Sequence, residues 1–83
     1  MPIPLPLHTL PLGCPARVVS IQAAPELRHR LRELGLIHGA PVVALYKNIS
    51  GDPVAYAIRG ATIALRNCDA ANVLVTVDGE VRI

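Results

Sequence analysis

Eighty-three residues leave room for one domain, and a composition of 52% hydrophobic and 17% charged residues supports a folded core rather than a disordered tail. Eight Lys+Arg against six Asp+Glu leave a net charge of +2, too mild to hold nucleic acid by charge alone. With no Trp, no Phe and only Tyr46 and Tyr56, the chain lacks the aromatic platforms on which single strands stack and the aromatic grooves that take Pro-rich ligands.

Residues 1–9 carry Pro2, Pro4 and Pro6. Alternating Pro predicts an extended segment ahead of the single domain. The start has no basic residue and no uninterrupted apolar stretch, so it does not read as a signal peptide. No apolar run approaches the roughly 20 residues of a membrane-spanning helix. The expectation is a cytoplasmic protein with no membrane insertion. Leu10-Pro-Leu-Gly13 reads as a turn, and Arg17–Gln22 alternates as a strand with Val19 and Ile21 on one face.

Pro25 suits the first position of a helix and Glu26 its first turn. Leu27, Leu31 and Leu34 form one stripe, and Gly35 followed by Leu36 is the signature of a helix stop. The spacing predicts a helix over Pro25–Leu34. Gly39 and Pro41 mark a turn, Val42–Lys47 a strand, and Ser50-Gly51-Asp52-Pro53 the turn of a hairpin whose return strand is Val54–Arg59. Gly60 breaks the chain before a strand at Thr62–Arg66. Asn67–Asn72 allows a second helical turn capped by Asn67. Val73, Val75 and Val77 alternate in a further strand, Asp78-Gly79 is a tight-turn signal, and Val81–Ile83 reads as a short final strand. Five or six short strands and one helix cannot build a doubly wound parallel sheet. They predict a mainly β fold, a small antiparallel SH3-like β-barrel, which solves the edge problem in so short a chain.

Chemistry is sparse. Ser20 and Ser50 lack a nucleophile-elbow setting, no phosphate-cradling glycine loop occurs, and the carboxylates are scattered. The expected class is not an enzyme. Cys14 and Cys68 form no CxxC pair and read as reduced thiols. Glu26, His29 and Glu33 share a helix face at i, i+3 and i+7. Imidazole and carboxylate at that spacing could hold zinc or ferrous iron, and two chains could complete four ligands in a metal-bridged homodimer. A solvated helix face with a weak His–Glu contact is the favoured reading, since one helix supplies at most three ligands. No cofactor is required. Arg28, Arg30 and Arg32 fan around the helix, so a basic nucleic-acid-binding barrel ranks behind ordinary solvation. A protein-binding surface remains. Gly13, Gly35, Gly39, Gly51, Pro53 and Gly60 read as turn residues, whereas Leu36, His38, Asp52, Arg59 and Arg66 are the candidates for contact with a partner.

Four segments in order, Leu31-Arg-Glu-Leu-Gly-Leu-Ile-His-Gly39, Gly51-Asp-Pro53, Ile63-Ala-Leu-Arg66 and Ala70-Ala-Asn-Val-Leu-Val75, resemble the bacterial ferrous iron transport protein A family, over about Leu10 to Val77. The resemblance implies an SH3-like barrel and an accessory role in ferrous iron uptake. It implies as partner the ferrous iron permease, a membrane protein with a cytoplasmic GTP-binding domain. The same small domain resembles the C-terminal module of iron-dependent repressors, which implies a metal-binding regulatory module as the alternative. The family carries over no agreed metal ligands.

Overall fold

The computed structural model describes residues 3–77, so the expected turn at Asp78-Gly79 and the strand at Val81–Ile83 lie outside the described residues. In chain order the elements are β1 (Leu5–Pro6), a 3-10 turn (Leu7–Thr9), β2 (Pro15–Ile21), α1 (Pro25–Glu33), β3 (Pro41–Lys47), β4 (Val54–Ile58), β5 (Ala61–Leu65), α2 (Asn67–Ala70) and β6 (Val73–Val77). The six strands form one antiparallel sheet in the order β1-β6-β2-β3-β4-β5. The fold is mainly β, as expected. The ladder is open between β1 and β5 rather than closed. β1 has two residues, one of them a proline without an N–H, and cannot bridge two neighbours.

One face of the sheet carries the core. Ala16 and Val18 of β2, Val42 and Ala44 of β3, Val54, Tyr56 and Ile58 of β4, Leu65 of β5, and Val73 and Val75 of β6 are all buried. Leu31 of α1 and Ala70 of α2 complete it from above. The segment ahead of β2 is part of this packing: Leu5–Pro6 is extended, the chain then turns, and Leu7 is fully buried. Burying a leucine stabilises by about 1.5–3 kcal/mol, which outweighs the extended preference set by the neighbouring prolines.

α1 starts at Pro25, whose missing N–H costs nothing in the first turn. It stops one residue before the expected Leu34, which is its C-cap. The Gly35 N–H donates to the Arg32 carbonyl at 2.9 Å and the Leu36 N–H to the Leu31 carbonyl at 3.2 Å. These two bonds are the Schellman closure, and Leu31 and Leu36 both sit in the core beneath it.

Two strands depart from simple alternation. β2 shifts register between Val18 and Ser20, so Val18 and Ile21 point inward and Val19 does not share their face. β3 shifts between Ala44 and Tyr46. Ala44 faces Tyr56 on the core side, while Tyr46 pairs with Ala55 on the outer side. A bulge moves every following side chain to the opposite face. It leaves Tyr46 59% exposed, where strict alternation after Ala44 would bury it.

Candidate functional site

The bulge in β3 builds the most distinctive surface of the molecule. The outer face of β4 and β5 carries small side chains, Ala55, Thr62 and Ala64, opposite the large inward set Val54, Tyr56, Ile58 and Leu65. Small residues on a face leave it recessed. Tyr46, Lys47, Asn48 and Ile49 wall one side, Pro53 closes one end, and the result is an open trough of about 600 Å³. Ile49 is fully exposed at its rim. β5 is also an edge strand, hydrogen-bonded on one side to β4 and on the other to no described strand. An apolar trough beside a free edge can take side chains and backbone of an extended segment together.

The Pro53 end is held by a polar knot. Asp52 Oδ1 accepts the backbone N–H of Asn67 at 2.9 Å, and Asn67 Nδ2 donates to the Gly51 carbonyl at 3.2 Å. Asn48 Nδ2 and Ser50 Oγ both donate to the Asp52 carbonyl, at 3.2 and 3.0 Å. The cap of α2 therefore comes from Asp52 across the sheet. Asn67, expected to be the cap, is the first helical residue, and its Oδ1 is buried without a partner. Burial raises the Tyr56 phenol above its usual pKa, and the Asp52 carboxylate adds to the shift. We expect Asp52→Ala to destabilise the fold by about 1 kcal/mol, the usual worth of an N-cap, read as a lower urea midpoint with unchanged slope. A midpoint equal to that of the unmodified protein would remove this role.

The partner candidates divide. Asp52, Arg59 and Arg66 are exposed, and Asp52 and Arg66 flank the Pro53 end of the trough through the Asp52–Asn67 bond. Arg59 begins the two-residue turn to Gly60, both with positive φ, that joins β4 to β5. His38 is exposed and lies apart, its Nδ1 donating to the Val19 carbonyl at 2.8 Å. Leu36 cannot contact a partner: it is fully buried, because the helix stop drives it into the core. Gly13, Gly39 and Gly51 occupy turns with positive φ, and the Pro53 peptide is cis. Sequence reading missed Tyr46, Ile49 and the alanines of the trough. The legible signal was the repeated large-small alternation Val54-Ala-Tyr-Ala-Ile58 and Thr62-Ile-Ala-Leu65.

The metal candidates do not converge. His29 Nε2 lies 3.3 Å from Glu33 Oε2, both well exposed, and Glu26 does not join them. Among the described residues no three His, Cys, Asp or Glu side chains come together as a ligand set. An i, i+4 pair in solvent contributes a few tenths of a kcal/mol, about 0.3–0.5, and no more. Cys14 and Cys68 are both free thiols.

The FeoA domain model matches residues 5–77. No curated protein matches the chain in sequence. Among solved structures, it is similar to a FeoA-like protein from Clostridium acetobutylicum, with a TM-score of 0.89 and 25% identity over 100% of this chain and 96% of that one. It is similar to FeoA from Stenotrophomonas maltophilia, complexed with zinc and described as a procaryotic SH3 domain protein, with a TM-score of 0.74 and 34% identity over 88% of each chain. The open sheet is thus SH3-like. The chain also resembles IdeR of T. acidophilum, with a TM-score of 0.78 and 25% identity, over 94% of its own length and 36% of that chain.

Proposed function

The chain belongs to the FeoA family, and from that premise we propose that it is a non-enzymatic, cytoplasmic accessory protein of ferrous iron uptake. It docks on the cytoplasmic GTP-binding part of the ferrous iron permease and modulates transport. The observation that carries this reading is the trough. Tyr46 and Ile49 are large apolar side chains held in solvent across the trough from the free edge of β5, and such anchors dominate protein interfaces when buried. The likeness to the S. maltophilia protein, itself put forward as a ferrous iron transport activating factor, supports an accessory role in transport. Among the described residues no helix is long and apolar enough to cross a membrane.

The test is titration of this protein against the permease's cytoplasmic GTP-binding domain. Micromolar binding is expected, weakened at least tenfold in Tyr46→Asp/Ile49→Asp, whose positions are exposed and leave the core intact. Binding that persists in the double variant moves the site away from the trough. Absence of binding by the unmodified protein discards the reading.

A further inference from the structure

A second recess lies between α1 and β2, lined by the helix face next to the His29–Glu33 pair. It is small, about 160 Å³, and is lined by Val18, Val19, Ser20 and Ile21 of β2, Arg28 and Arg32 of α1, and Leu36 and His38 of the following loop. The β2 bulge shapes it, because the shifted register opens the strand at Val19 and His38 fills beside it by donating Nδ1–H to the Val19 carbonyl.

The charge in this recess is uncompensated. Arg28 and Arg32 stand one helical turn apart on the same face, a spacing that sets like charges against each other and disfavours the helix. Neither has a carboxylate at i±3 or i±4, no acidic side chain lines the recess, and neither forms an ion pair among the described residues. Ser20 adds a donor. Its Oγ accepts from Gln22 Nε2 at 3.2 Å, which leaves the hydroxyl hydrogen free to point into the recess. Two arginines and a serine hydroxyl lining a small concavity suit a tetrahedral oxyanion, since guanidinium pairs with phosphate oxygens through parallel N–H bonds.

We propose that this recess binds a phosphate group, free or carried by a small phosphorylated molecule. The reading is independent of the trough, which lies on the outer face of β4 and β5. The anion relieves the Arg28–Arg32 repulsion and links α1 to β2, so occupancy protects the helix end.

The test follows the arginine side-chain and backbone N–H signals of the whole protein by NMR at low ionic strength. Inorganic phosphate is expected to shift Arg28, Arg32 and Ser20 along one saturating curve. Tighter binding of glucose 6-phosphate assigns a phosphorylated small molecule as the ligand class, and tighter binding of inorganic phosphate assigns the free ion. Arg28→Gln/Arg32→Gln is expected to weaken binding at least tenfold, while Arg30→Gln, an exposed arginine outside the recess, leaves it unchanged. Shifts that never saturate, that chloride reproduces at matched ionic strength, or that survive the double variant overturn the proposal.

Discussion

Leu36→Ala is expected to lower stability by about 2–5 kcal/mol, the range for truncating a fully buried leucine. Leu36 has no exposed surface and packs with Leu31 beneath the end of α1. Its backbone N–H closes the helix on the Leu31 carbonyl, so the cavity opens at the point where α1 is pinned to the sheet. A drop of roughly 4–8 °C in melting temperature per kcal/mol applies to a domain of this size. Thermal unfolding reads the effect directly. A variant within about 2 °C of the unmodified protein would show that the helix end is not held by this side chain. The same variant separates packing from contact: binding to a partner, measured below its melting transition, should be unchanged.

Gly35→Ala is the second large effect, and it acts through the backbone. Gly35 has φ of +111, which L side chains rarely adopt, and strain of this kind costs about 1–3 kcal/mol. The space is also taken. An added Cβ would stand 2.9 Å from Arg59 Cγ and 3.1 Å from Ile58 Cγ2, with Arg59 Cδ nearer still. Arg59 is an exposed residue whose flexible stem can swing aside, but Ile58 is fully buried and cannot. Gly51→Ala supplies the comparison, because Gly51 has φ of +90 with open space around it. Urea unfolding should show a larger loss for Gly35→Ala than for Gly51→Ala. Equal losses would mean that strain alone acts and that the contact between the helix end and the β4–β5 turn is soft.

Local signals were legible wherever a short stretch decides its own conformation. Pro25 and Gly35 bracket α1 to within one residue, because a missing N–H and a permissive φ are properties of single residues. The valines of β6 read correctly for the same reason: inward and outward faces differ in every second residue. The candidate site was less legible. Leu36 looked like a contact because its neighbours carry the distinctive pattern, but the helix stop that makes the pattern also buries it. Asn67 has the right chemistry for a cap, yet Asp52, fifteen residues earlier, reaches the free N–H first. The pairing depends on how the β3–β4 hairpin lies against β5, which no local window contains.

By itself the sequence determined the class of the molecule: one small antiparallel β fold with a capped helix, poor in reactive groups, since composition, period and turn chemistry act within a few residues. Only the tertiary structure decided which apolar side chains meet solvent. Tyr46 turns outward and Val19 leaves its face because each bulge is a mismatch between two strands, and a mismatch belongs to the pair rather than to either strand. The trough and the arginine recess both follow from those two slips.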